Sequence, residues 1–225
     1  MRLHRFYTTT TLDKNITVTD SAFIHQWKNV FRYGAGDSLV LFGGGCECEY
    51  KIMNMDKKSV ELELISQKES LKRTSHLTLA ISLIKKDNLE LVLQKCTELG
   101  VGGFVLVQTD RSEKKGFNRG RLGKILIEAT EQSGWGSVPT LSDVMKFSEV
   151  LSEYPGAVVL DGEAERAFLK EALSKNTVVC IGPEGGFSDA EVGVARASGA
   201  RLLSLGSNTL RAETAAMAAA SVALL

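Results

Sequence analysis

From residue 76 to the C-terminus, short apolar runs of strand length alternate with stretches whose apolar residues recur at helical spacing. The runs are HLTLAISL, FVLVQT, GAVVLDG, TVVCIG and RLLSLG. A strand apolar on both faces must be covered on both, so the alternation predicts an α/β fold with a mainly parallel sheet between helices. KDNLELVLQKCTELG sets Leu89, Val92, Leu93, Cys96 and Leu99 at helical spacing and stops on Gly100, a residue suited to the left-handed turn that ends helices. Further helices are expected across Leu122 to Gln132, Glu163 to Leu173, Ser188 to Ala197 and the C-terminal stretch.

The first seventy or so residues follow another pattern. SVELELI alternates Val60, Leu62 and Leu64 with Glu61 and Glu63, the period of a half-buried strand. DSLVLF and CEYKIMNM read as two more strands joined by Gly43, Gly44 and Gly45. Asp20 or Ser21 can cap one helix, with Phe23, Trp27, Val30 and Phe31 on one face. SQKESLKRTS, residues 66 to 75, reads as a linker. The 225 residues therefore divide into a small, mostly β domain over 1–70 and an α/β domain over 74–225.

Composition narrows the function classes. With 44% hydrophobic and 24% charged residues the chain has an ordinary globular make-up. The N-terminus has no apolar core of a secretory signal, and the tract Ala215 to Leu225 is too short to cross a bilayer, so a cytoplasmic protein without membrane contact is expected. The four cysteines and three histidines form no metal-ligand spacing, and no metal is expected. Net charge is zero, yet Arg2, Arg5, Lys14, Lys28 and Arg32 crowd the first 35 residues, and Arg111, Lys114, Lys115, Arg119, Arg121 and Lys124 crowd a second stretch. Such runs are either solvated faces or local footholds for a polyanion.

Two junctions raise a sharper question. IGPEGGFSDAE and LGSNTLRAETAAM each place glycine directly after an apolar run and before a helix start. In α/β sheets ligands bind beyond the carboxyl ends of strands, and small residues there let the backbone approach a ligand closely. Neither the P-loop nor the Rossmann spacing is present, and Glu184 would repel a pyrophosphate. A cationic cofactor without phosphates, such as S-adenosylmethionine, escapes that penalty. Ser188 and Glu191 also form a capping box, which accounts for those two residues but not for the glycines and proline before them.

Taken with MRLHRFY, VFRYGAGDSLVLFGG, LVLQKCTELGV and EATEQSGWGSVP, the two junctions resemble the ribosomal RNA small subunit methyltransferase E family, which makes N3-methyluridine in 16S rRNA and belongs to the SPOUT methyltransferases. The resemblance implies a PUA-like β-barrel RNA-binding domain followed by a SPOUT domain with a C-terminal trefoil knot. Periodicity could not have suggested a knot, because chains are as a rule unknotted. It further implies a homodimer acting on 16S rRNA in the small ribosomal subunit, with S-adenosylmethionine in a pocket lined by Leu160, Gly182, Pro183, Glu184, Gly185, Gly186, Leu205, Gly206, Leu210, Arg211, Glu213, Thr214 and Ala215. Two positions depart from the family pattern: Trp135 and Asn88 stand where arginine is common.

RNA contacts are expected from Arg2, Arg5, Arg32, Arg111, Lys114 and Lys115, and from Trp135 if it stacks on a base. Uridine N3 must lose a proton before it attacks, and Arg211 is the candidate to stabilise the uridinate, with Glu213 orienting Arg211 or bonding the cofactor. A first-turn helix pair serving structure is the plainer reading of those two residues. Another SPOUT reaction, on ribose 2′-O or guanosine N1, and a non-catalytic RNA-binding assembly factor stay open.

Overall fold

The computed structural model describes residues 3–72, 77–113, 116–169, 173 and 176–225. Packing divides the chain into two compact units, Met1–Lys72 with Thr130–Ser137, and Arg73–Ala129 with Val138–Leu225.

The first unit is a five-stranded sheet of β1 (Arg5–Tyr7), β2 (Asn15–Val18), β3 (Ser38–Gly43), β4 (Cys46–Met55) and β5 (Val60–Glu69), in the order β1-β3-β4-β5-β2. Only the β1–β3 pair is parallel. The β3–β4 hairpin turns on Gly44 and Gly45, whose φ of 56° and 85° lie where glycine is favoured. Gly43 is needed for another reason, since a Cβ there would lie 2.1 Å from the Thr8 carbonyl oxygen. The stretch expected as a linker begins as strand: β5 continues through Glu69, paired with Cys46.

Asp20 caps α1 (Ser21–His25), its Oδ1 accepting from Ala22 N at 2.7 Å. The helix then widens into a π-turn over Gln26–Val30, closed by Phe31 N to the Gln26 carbonyl at 3.0 Å. That wider turn breaks the expected apolar face. Trp27 is fully buried beside Phe6 and Phe23, whereas Val30 is rotated out and is 63% exposed.

The second unit holds β6 (Thr78–Ser82), β7 (Gly103–Gln108), β8 (Thr140–Lys146), β9 (Val158–Leu160), β10 (Val178–Ile181) and β11 (Arg201–Leu203), in the order β11-β9-β10-β6-β7-β8. Every pair in it is parallel, as the apolar runs require. The helices are α2 (Lys86–Leu99), α3 (Arg119–Ser133, counted with the first unit from Thr130), α4 (Phe147–Glu153), α5 (Asp189–Ala197) and α6 (Ala212–Leu224). Alternation decides the two layers. Leu77, Leu79 and Ile81 pack with Leu89 and Val92 of α2 and Ala216 and Ala219 of α6, while Ala80, Val105 and Cys180 pack with Val150 of α4 and Ala195 of α5. Gly100 ends α2 at φ 106°, its N–H bonding the carbonyls of Cys96 and Thr97.

Two elements differ from the sequence reading. β8 and α4 were not anticipated, because β8 is an edge strand with much of its length exposed and so lacks an apolar signature. The helix expected from Glu163 is absent over 163–169, where the chain forms turns and a bridge from Ala167 to Ser204; residues 170–172 lie outside the described residues. Phe168 N bonds the Ser204 carbonyl, and Ser204 N bonds that of Arg166, each at 2.8 Å. Among the described residues no helix is long and apolar enough to cross a membrane.

Candidate active site

Beyond the C-terminal ends of β9, β10 and β11 lies a cleft of about 640 Å³. Its walls are Leu160 to Glu163 after β9, Ile181 to Phe187 after β10, and Ser204 to Leu210 after β11. Asp189, Val192 and Arg196 close one side, as spacing along a single face of α5 requires; Ala212 and Ala215 do the same from α6, and Arg111 reaches in from the segment after β7.

The glycines have separate causes. Gly186 takes φ 68° and Gly206 φ 126°, angles at which a side chain is strained. At Gly182 a Cβ would lie 3.2 Å from the Phe187 ring, and at Gly185 the same distance from Arg111 Cδ. Phe187 stacks on Phe147 with centroids 4.6 Å apart, so the ring above Gly182 has little freedom to move. Four carboxylates, on Asp161, Glu163, Glu184 and Asp189, line the cleft against the two guanidiniums of Arg111 and Arg196.

The loop after β10 is fastened from one side. Arg111 Nη1 donates to the Gly185 carbonyl at 2.7 Å and to that of Phe187 at 3.4 Å. Glu191 accepts from Asp110 N at 2.9 Å and from Ser188 N at 2.8 Å, completing the capping box at the start of α5. Ser188 Oγ donates to Asp110.

Of the residues that the resemblance placed in a cofactor pocket, Leu160, Gly182 to Gly186, Leu205, Gly206, Leu210 and Ala215 line the cleft. Arg211, Glu213 and Thr214 do not. Ala212 and Ala215 occupy the face of α6 turned to the cleft, whereas Thr214 is exposed and Glu213 is buried outside the cleft lining. Glu213 is instead buried at 8% exposure, its Oε2 without a hydrogen-bond partner among the described residues, while Arg211 is exposed at the N-cap of α6; of the two roles expected for Glu213, the bond to Arg211 is not seen among the described residues. Sequence reasoning missed Asp161, Ser207, Asn208, Thr209 and Arg196. Ser207, Asn208 and Thr209 follow the motif Gly206, Asp161 follows the strand run ending at Leu160, and Arg196 follows from helical spacing seven residues after Asp189, so a signal existed for each.

The basic candidates scatter. Arg2, Lys114 and Lys115 lie outside the described residues. Arg5 is an internal residue, not a surface one: its side chain is 8% exposed, pairs with Glu47 at 2.8 Å, stacks over Phe42 and donates to the carbonyls of Glu131 and Trp135. Arg111 belongs to the cleft wall. Arg32 is exposed, held at φ 58°, with no hydrogen bond or ion pair of its side chain among the described residues. Trp135 is half-buried. Among the described residues no group of three His, Cys, Asp or Glu is placed to hold a metal ion.

Residues 71–224 match the RNA methyltransferase domain family. The whole chain is 32% identical to the ribosomal RNA small subunit methyltransferase E of Rickettsia conorii, covering 97% of that protein. The chain belongs to the ribosomal RNA small subunit methyltransferase E family. A family structure from Neisseria gonorrhoeae, bound to S-adenosyl methionine, matches with a TM-score of 0.87 at 28% identity over 97% of this chain and 95% of that one. A Legionella pneumophila protein solved with its cofactor SAM matches with a TM-score of 0.89 at 27% identity, covering 99% and 97%. The fold is thus the family's, a small N-terminal unit followed by the parallel-sheet methyltransferase unit.

Proposed function

We propose that the protein transfers a methyl group from S-adenosylmethionine to N3 of a uridine in 16S ribosomal RNA of the small ribosomal subunit. The observation that carries this reading is the cleft walled by three small-residue turns, in a chain of this family. The residues present fit the cofactor. Gly186 and Gly206 leave open space where a side chain would stand, and carboxylates outnumber guanidiniums among the lining residues, which suits a sulfonium and disfavours a pyrophosphate.

When bound, S-adenosylmethionine supplies an electrophilic methyl group. The protein's own task is then to hold the nucleophile in line and to favour the uridinate. Arg211 stands between the lining residues Leu210 and Ala212, exposed and without an ion-pair partner among the described residues. In this proposal its guanidinium and the N-terminal dipole of α6 stabilise negative charge on a uridine carbonyl oxygen. Arg32 meets the RNA backbone as an unpaired surface cation. The protein works in the cytoplasm as a homodimer; the dimer reading is supported by α6, a small-sided helix that leaves Val222 exposed.

Digestion of 30S subunits incubated with the protein and labelled S-adenosylmethionine tests the reaction. N3-methyluridine is the expected labelled nucleoside; a labelled ribose or guanosine, or no cofactor binding by calorimetry, would reject it. Sedimentation at micromolar concentration checks the dimer, which a monomer would contradict.

A further inference from the structure

We propose that Arg111 is a positioning residue of the cleft loop Pro183–Phe187, setting the affinity for S-adenosylmethionine and making no contact with RNA. The inference rests on the cofactor reading given above. A basic residue at the head of a basic run is expected to grip phosphate, but the geometry here points inward.

Arg111 sits on a turn that is itself fixed. Ser112 Oγ accepts from Thr109 N at 2.9 Å and from Gln108 Nε2 at 2.8 Å, and Glu113 N bonds the Leu83 carbonyl at 2.8 Å. From that base the Arg111 guanidinium holds the Gly185 and Phe187 carbonyls. The loop has few ties of its own: Gly186 N closes on the Pro183 carbonyl at 2.9 Å, and two adjacent glycines give its backbone unusual freedom. Gly185 also accommodates the arginine stem, since a Cβ would lie 3.2 Å from Cδ and 3.5 Å from Cβ of Arg111. A loop held before the ligand arrives binds more tightly, because the ordering cost does not fall on binding.

The test compares the full-length wild type with Arg111→Ala, Arg111→Lys and Gly185→Ala, using calorimetry with S-adenosylmethionine, binding to 30S subunits across a salt series, and steady-state kinetics. Loss of charge-assisted bonds to two carbonyls should weaken S-adenosylmethionine binding and raise its KM roughly tenfold, with kcat at saturation and the salt slope of RNA binding unchanged. Lysine should restore part of the loss, because its ammonium keeps a charged donor for these carbonyls on a shorter stem. Gly185→Ala should give the same defect, and combining it with Arg111→Ala should add little, as expected for two changes to one contact. A variant with normal S-adenosylmethionine affinity but a salt slope lower by about one would make Arg111 a phosphate contact and overturn the proposal. Unchanged binding of both ligands would overturn it too. Failure of the wild type to bind S-adenosylmethionine would remove the cofactor reading itself, and this proposal with it.

Discussion

Replacing Glu191 by alanine should destabilise the second unit more than any exposed charge substitution. The carboxylate is 9% exposed and accepts from two backbone N–H groups, those of Asp110 and Ser188. Bonds from backbone N–H to a carboxylate contribute about 1.5–3 kcal/mol each, and an acidic group in the first helical turn adds about 0.3–1 kcal/mol. Asp110 is exposed and Ser188 half-buried, so water recovers part of what the two N–H groups lose. A net cost of about 3 kcal/mol remains, which for a chain of this length lowers Tm by about 6–12 °C. Glu191→Gln should lose about half as much, because its amide nitrogen would face one of the two donors. Circular dichroism melts at pH 7 and urea midpoints measure both variants. A Glu191→Ala melt within about 2 °C of wild type would mean that the two N–H groups do not depend on this carboxylate, and the argument for a fastened loop would fall.

Arg5→Ala should cost about 3 kcal/mol by urea denaturation, because it leaves Glu47 in a nearly closed site with only Lys68. Burial pushes the Glu47 carboxyl up, but the Lys68 hydrogen bond and the Arg5 charge outweigh it and hold the group below its ordinary 4.5. Its contribution is therefore complete above that value and lost as pH falls through the depressed one, and Arg5→Ala should flatten this part of the acid stability profile. Gly186→Ala, at φ 68°, should cost about 1–2 kcal/mol in melting experiments although its Cβ would meet no atom within 4 Å. Burial pushes the thiols of Cys96 and Cys180 up to about 12, so iodoacetamide at pH 8 should label half-buried Cys46 first, as read by mass spectrometry of native protein.

The alternation of apolar runs determined the parallel sheet of the second unit, since strands buried on both faces have few other ways to be covered. It also marked the strand ends where the cleft forms, because glycine at Gly186 and Gly206 records backbone angles that other residues resist. β8 escaped for the converse reason: an edge strand in water need not carry an apolar period. The π-turn at Gln26–Val30 turned Val30 outward against a helical spacing that placed it inside.

Charged side chains were legible only in the folded chain. Arg5 and Arg111 look alike in the sequence as basic residues near other basic residues. One closes on Glu47, 42 positions away, and the other on the Gly185 carbonyl, 74 positions away. Glu213 is buried while Arg211, two residues before it, stays exposed, so the side chains are separated by the turn of the helix. Local pattern fixes backbone geometry, because φ, ψ and periodicity are properties of neighbours along the chain. The partner of a guanidinium or carboxylate is settled by what folding brings within about 3 Å of it, and spacing along the sequence carries no record of that.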